Sequence, residues 1–389
     1  MEYVVQHRLR SWVEHLNCDK GVAPSRAMLT AHAGQCIPDI VPAEIRQRLE
    51  RQLHGPARGQ RKWLSRFRRR WKCRVGALPA LAYWQWLGFA RLEAVTAGQE
   101  PLIVNVDETS ISFVTGLKGT VIKACKGKRA REAASLSQRR SNFTYLAAIT
   151  PDPAIQPFLP QFVLLNEHQI SKEELAAAVR SAPPNVRMLR RPSAWCDNAV
   201  MRQYLSALRA SLQTAAPDRY AILLLDVARA HVHNSIRDHA KRCRVRLVYV
   251  PAGTTKYLQP CDLQLFHSFK RVLEEVWRER KGHAVIGALT MQFRLGVLFE
   301  AMKRVLATRK WEKAFQLAGV LGDQRSIKRS LLDVLGWTQV PEIPVRPPSL
   351  ADAARIFPRR MKIDTMSYIY WHKDRPLPDE ARRNLPCLD

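Results

Sequence analysis

The chain has 389 residues, 46% of them hydrophobic and 25% charged, so it can bury a sizeable core and is not a low-complexity tail. Lys and Arg outnumber Asp and Glu by 63 to 34, giving a formal net charge of +29 that favours polyanionic partners, nucleic acid first. The eight cysteines form no CxxC pair, and with the eleven histidines they show no zinc-like spacing, which argues against a disulfide scaffold or a zinc ribbon.

Residues 1–95 are predicted to be helical and basic. Val4, Val5, Leu9, Trp12, Val13 and Leu16 recur at helical spacing, as do Ile45, Leu49 and Leu53. The leading segment MEYVVQHRLRSWVEHL lacks the apolar core of a signal peptide, and no run of about eighteen apolar residues occurs anywhere. The expectation is therefore a soluble, intracellular protein without a membrane span. Within this region RGQRKWLSRFRRRWKCRVG (58–76) places Trp63, Leu64, Phe67 and Trp71 on one helical face. Arg61, Lys62, Arg66, Arg68, Arg69, Arg70, Lys72 and Arg74 surround them. Such a cluster reads as a solvated basic face, as a nuclear import signal, or as a helix-turn-helix module whose arginines grip DNA phosphates.

From residue 100 the texture changes to short apolar runs: LIVNV (102–106), FTYLAAI (143–149), QFVLL (161–165), AILLL (221–225) and VRLVYV (245–250). These read as buried strands, with helical stretches at Lys172–Arg180 and Asn198–Leu212 between the third and fourth. The prediction is an α/β domain over 100–290 with a mixed central sheet flanked by helices. Helical patterning continues to about Leu335, and Val340–Ser349 carries four prolines; residues 291–389 form a helical and irregular extension.

Three acids share one context. Asp107 follows LIVNV, Asp226 follows AILLL, and Asp262 lies beyond VRLVYV in VPAGTTKYLQPCDLQLF. Carboxylates at the edge of an apolar core are costly unless a cation offsets them, and hard divalent ions such as Mg²⁺ suit them. Three converging carboxylates can hold two such ions about 3.5–4 Å apart for phosphodiester chemistry. Taken singly, an acid after a strand is usually a helix cap or a turn residue.

The blocks VNVDETSI, LLLDVARAH and VYVPAGTTKYLQPCDLQLFHSFKR resemble the three signature blocks of DDE-type transposases, in the pogo/Tigger branch of the mariner-like superfamily. The third block is the most specific, with Pro251, Thr254, Thr255, Gln259, Pro260, Asp262, Ser268, Phe269 and Lys270 all in place. The resemblance implies a ribonuclease-H-like fold, with Asp107, Asp226 and Asp262 as catalytic, metal-binding residues for Mg²⁺ or Mn²⁺. W-L-x-x-F-x-x-R at Trp63–Arg70 is similar to the DNA-binding domain of the centromere-protein-B type. It implies double-stranded DNA as partner, a homo-oligomer on DNA and a nuclear location. Scattered cations, including Lys123, Lys126, Lys128, Arg129, Arg139 and Arg140, are candidates to line the DNA path.

The chain departs from the family pattern at Val227, where Asn usually follows the second acid, and around Leu265, where a glycine-bearing turn is usual. The first departure leaves open a domesticated DNA-binding protein that no longer cuts. Glu108, next in a strand to Asp107, is predicted to point away from the metal. Asp197 reads as a helix start. His231 reads either as a contact to metal-bound water or phosphate, or as a satisfied turn histidine.

Overall fold

The computed structural model describes residues 77–112, 142–282 and most of 290–369, together with His32 and Gln47. The predicted DNA contacts between Arg61 and Arg74, and the cations between Lys123 and Arg140, lie outside the described residues.

Six strands build one sheet: β1 (Glu100–Ser112), β2 (Asn142–Ile149), β3 (Gln161–Asn166), β4 (Val186–Arg191), β5 (Arg219–Asp226) and β6 (Val245–Val250). Their spatial order is β4-β3-β2-β1-β5-β6. β1, β2 and β3 form an antiparallel meander, β5 and β6 extend it in parallel on the β1 side, and β4 lies parallel to β3 at the far edge. A three-stranded meander continued by parallel strands next to its first strand is the ribonuclease-H-like arrangement that the resemblance implies.

The apolar runs explain the centre of this sheet. AILLL in β5 and VRLVYV in β6 are buried along their whole length, as strands covered on both faces must be. β4 escapes the sequence reading. In VRMLRR, Val186 and Met188 are buried while Arg187 is exposed, so a short, basic, alternating edge strand replaces the expected apolar run.

Helix α1 (Ala77–Thr96) was expected to belong with the basic N-terminal region. It packs on the sheet instead. ALPALAYWQWLGFARLEAVT is apolar around most of its circumference, which marks a helix buried in a core. Trp84 and Trp86 are fully buried. The Trp84 indole N–H donates to the Ala318 carbonyl at 3.2 Å, and the Trp86 ring lies 5.9 Å from that of Tyr249 in β6.

Helices α2 (Lys172–Ser181), α3 (Asn198–Ala215) and α4 (Asn234–Arg242) connect the strands. After β6 come the single turn α5 (Thr255–Leu258), α6 (Phe266–Gly282), α7 (Met291–Thr308), α8 (Glu312–Leu317), α9 (Arg329–Leu335), α10 (Leu350–Ala354) and α11 (Thr365–Ile369). Residues on α7, α8, α10 and α11 join the same apolar core as the sheet, so the segment beyond 291 completes the fold. One buried cation ties these parts together. Arg246 in β6 pairs through Nε with Glu93 of α1 at 2.7 Å and donates to the carbonyls of Tyr368 and Ile369 in α11 at 2.9 and 2.5 Å. Among the described residues no helix is long and apolar enough to cross a membrane.

Candidate active site

The first acid sits in the middle of the sheet. Asp107 lies on β1 opposite Ala147 of β2, and its Oδ1 accepts the Glu108 N–H at 2.8 Å. The second ends β5, the parallel neighbour of β1. The ladder's last pair is Asn105 with Leu224, two residues before each acid, so Asp107 and Asp226 occupy matching positions on adjacent strands. Asp226 Oδ1 accepts the Ala228 N–H at 3.1 Å and faces His231 Nδ1 at 2.5 Å.

The third acid is delivered by the segment after β6, and its sequence block becomes intelligible residue by residue. Gly253 has φ +78°, a left-handed turn that a β-carbon would strain. The Thr254 hydroxyl donates back to the Pro251 carbonyl at 2.7 Å, which tightens the turn. Buried Gln259 donates to the Val106 carbonyl at 3.3 Å, next to Asp107. Pro260 then opens a π-helical turn, Cys261–Leu265, which runs into α6 where the family pattern carries a glycine turn. The Cys261 N–H donates to Asn105 Oδ1 at 2.8 Å, and Asn105 Nδ2 donates to the Leu224 carbonyl at 3.1 Å. Phe269, one turn into α6, seats its ring 5.0 Å from Tyr145 of β2.

Asn105 therefore fastens β1, β5 and the Asp262 turn at one fully buried point. Sequence reasoning missed it, because a lone Asn inside an apolar strand has no periodic signature. Asn105→Leu should leave the Cys261 N–H buried without an acceptor, at a cost of about 1–3 kcal/mol measurable by urea unfolding. Nicking of plasmid DNA by the variant should fall at least about tenfold, since 1.4 kcal/mol of misplacement suffices for that. Unchanged stability and unchanged nicking would remove Asn105 from this role.

The electrostatics report the convergence of the three acids. Burial, then the charge of Asp262, then those of Asp226 and Glu108 push the Asp107 carboxyl well above the usual range, against the pull of the Glu108 N–H. Partial desolvation and the Asp226 charge raise Asp262, while Thr255 and Lys270 oppose the rise. Asp226 goes the other way. Burial would raise it, but the hydrogen bond and charge of His231 bring it below its ordinary value. The donors are all carboxylate oxygens on or beside the central strands β1 and β5, and the charge of Asp226 is felt at both other acids, so they suit a hard divalent cation that relieves the repulsion.

Beside this triad lies a second group. His231 is 1% exposed, and its Nε2 approaches Glu108 Oε1 at 3.0 Å. The Tyr249 hydroxyl donates to the His231 carbonyl at 2.8 Å. His231 is thus enclosed between Asp226 and Glu108 in a carboxylate–histidine–carboxylate chain, in keeping with the turn-histidine reading. Glu108 points into this chain. Asp197 caps α3 by accepting the Val200 N–H at 2.9 Å, as its sequence context predicts, and holds Cys196 just ahead of the helix. His233 caps α4 in the same manner through Ser235.

Residues 159–281 match a family described as DDE superfamily endonuclease. The chain is similar to DDE endonucleases. The matched stretch spans β3 to α6 and includes Asp226 and Asp262; Asp107 lies before it. No curated protein matches the sequence. Among solved structures, the chain is similar to a Mos1 transposase paired-end complex with the left transposon end, at 18% identity and TM-score 0.32, over 76% of this chain and 79% of that one. A Mos1 mariner paired-end complex with Mn gives 17% identity and TM-score 0.32, over 75% and 78%. A Mos1 catalytic domain with raltegravir and Mg gives 17% identity and TM-score 0.27, over 59% and 92%.

Proposed function

We propose that this protein is a transposase-like DNA endonuclease in which Asp107, Asp226 and Asp262 hold divalent ions, Mg²⁺ or Mn²⁺, two in number. The observation that carries this reading is the placement of Asp107 and Asp226 at matching positions on adjacent strands, with the charges of Asp262 and Asp226 felt at Asp107 and that of Asp226 felt at Asp262. When bound, such ions activate a water or a 3′-hydroxyl for attack on a phosphodiester and offset charge on the leaving oxygen.

The chain's own residues supply the positioning. The Glu108 N–H and the Ala228 N–H each fix one carboxylate oxygen, and His231 holds Asp226 ionised. Thr255 and Lys270 favour the charged form of Asp262, which keeps it available as a ligand. Strand transfer after hydrolysis, assembly as a homo-oligomer on double-stranded DNA, and action in the nucleus belong to the same proposal. So does DNA contact by the basic residues Arg61 to Arg74, which rests on sequence.

A second reading, a DNA-binding protein that no longer cuts, is favoured by one observation. Val227 is 8% exposed and joins the apolar core where the family pattern has an amide. Against it, Asp226 keeps two other hydrogen-bond donors.

The deciding experiment is nicking of supercoiled plasmid by the full chain with Mn²⁺ or Mg²⁺, against EDTA. Metal-dependent nicking supports the endonuclease. Salt-sensitive DNA binding without nicking, including on the chain's own terminal repeats, supports the second reading.

A further inference from the structure

Glu108, Cys196 and His231 come from β1, from the turn before α3 and from the loop after β5. No spacing rule connects them, yet one carboxylate oxygen, one thiol sulfur and one ring nitrogen lie within 4.8 Å of one another. The ring orientation gives the group a direction. Asp226, when ionised, only accepts, so Nδ1 carries a proton toward Asp226 Oδ1 at 2.5 Å, and a second proton lies between Nε2 and Glu108. Nε2 then faces Glu108 Oε1 at 3.0 Å, on the side where Cys196 sits.

A histidine that donates one ring N–H to a carboxylate and turns the other nitrogen to a cluster of anionic donors is the usual arrangement around a bound transition metal. The donor set is one nitrogen, one sulfur and one oxygen. Hard ions such as Mg²⁺ avoid thiolate, whereas Zn²⁺ accepts all three and often leaves a fourth position to water. Tetrahedral bonds of about 2.0–2.3 Å place ligand atoms roughly 3.3–3.8 Å apart. The observed separations need only small side-chain movements to close on an ion.

We propose that Glu108, Cys196 and His231 form a zinc-type metal site, separate from the three aspartates and joined to them through the His231–Asp226 hydrogen bond. On binding, the ion takes the place of the proton between His231 Nε2 and Glu108, and of the thiol proton of Cys196; both protons go to solvent. Burial pushes the Cys196 thiol up to about 12 when no cation is near, and a coordinated ion reverses that preference. The site would lock three segments that are distant in sequence, and it would fix the imidazole that orients Asp226.

The test is cobalt substitution of the untagged full chain. One equivalent of Co²⁺ should give a near-ultraviolet thiolate-to-cobalt band that Zn²⁺ displaces. Cys196→Ala should abolish the band and weaken metal binding at least about a hundredfold, beyond the loss seen when an outer partner is removed. Cys196→Ser, close in size, should also lose the band, and circular dichroism reports whether either variant is folded. Glu108→Gln should weaken binding with the band retained. Asp262→Ala should lose metal-dependent nicking and keep the band, which separates this site from the proposed nuclease centre. No thiolate band in the parent protein overturns the proposal. So does a band that survives in a folded Cys196→Ala, because the cobalt would then sit on another cysteine.

Discussion

Asp107→Asn is expected to abolish metal-dependent nicking while raising the melting temperature of the metal-free protein. The two effects have one cause. Asp107 is desolvated and faces the charges of Asp262, Asp226 and Glu108, so its ionised form is disfavoured until a cation arrives. Asn keeps an oxygen for the Glu108 N–H and removes the charge. Loss of one ligand from a metal that supplies several kcal/mol of charge stabilisation should cost at least about a thousandfold in rate, since that takes only about 4 kcal/mol. Without metal, relief of the repulsion should raise Tm by about 1 °C, the change that about 1 kcal/mol produces in a chain of this size. The sign with pH follows. The folded parent takes up a proton at Asp107 more readily than the unfolded chain, so its deficit is greatest near neutrality and shrinks on acidification. Calorimetry with and without Mn²⁺, paired with the plasmid assay, reads both effects. A variant that nicks like the parent, or melts lower than it without metal, contradicts this account of the site.

The second large effect lies away from the chemistry. Arg246 is fully buried, and Glu93 is held above the ordinary carboxylate range by burial, partly offset by Arg246. Arg246→Met removes the cation, strands the Glu93 carboxylate and frees the carbonyls of Tyr368 and Ile369. Breaking a buried pair from one side costs about 3–5 kcal/mol. Adding Glu93→Leu should recover much of that loss, because the exchange of both charges for apolar volume is often close to neutral. Chemical denaturation of the two single variants and the double variant gives the coupling. A cost below about 1 kcal/mol for Arg246→Met would mean that the pair contributes no more than an exposed ion pair does.

The fold was readable where burial is uniform. The apolar runs of β1, β2, β3, β5 and β6 announce themselves because strands covered on both faces admit few polar residues. β4 was hidden because an edge strand needs only Val186 and Met188 inside, and its arginines read as loop. Helix α1 was detected as a helix but assigned to the wrong neighbours; its apolar circumference says that it is buried and does not say against what. Of the three aspartates that the sequence singles out, only Asp226 closes a strand; Asp107 lies within β1, which runs on to Ser112, and Asp262 lies in the π-helical turn beyond β6. Asn105, and the grouping of Glu108 with Cys196 and His231, were not legible. Their partners are 123 residues apart for Glu108 and His231 and 156 for Asn105 and Cys261, and only the sheet brings them together.

That last feature bears on how the molecule comes into being. The ladder joining β1 to β5 pairs residues 119 apart, such as Asn105 with Leu224, across the inserted β2, β3 and β4. Closing so long a loop must precede any reward from the contact, which places such topologies among the slow folders. A growing chain has no complete set of acids until Asp262 has been made and β5 has docked beside β1. A fragment ending before β5 should therefore be inert toward DNA phosphodiesters however well its meander forms. Stopped-flow refolding, followed through the buried Trp84 and Trp86, should show tertiary fluorescence gained no earlier than that docking. A burst of native fluorescence in a chain truncated ahead of Arg219 would instead mean that the helix finds its seat before the site exists.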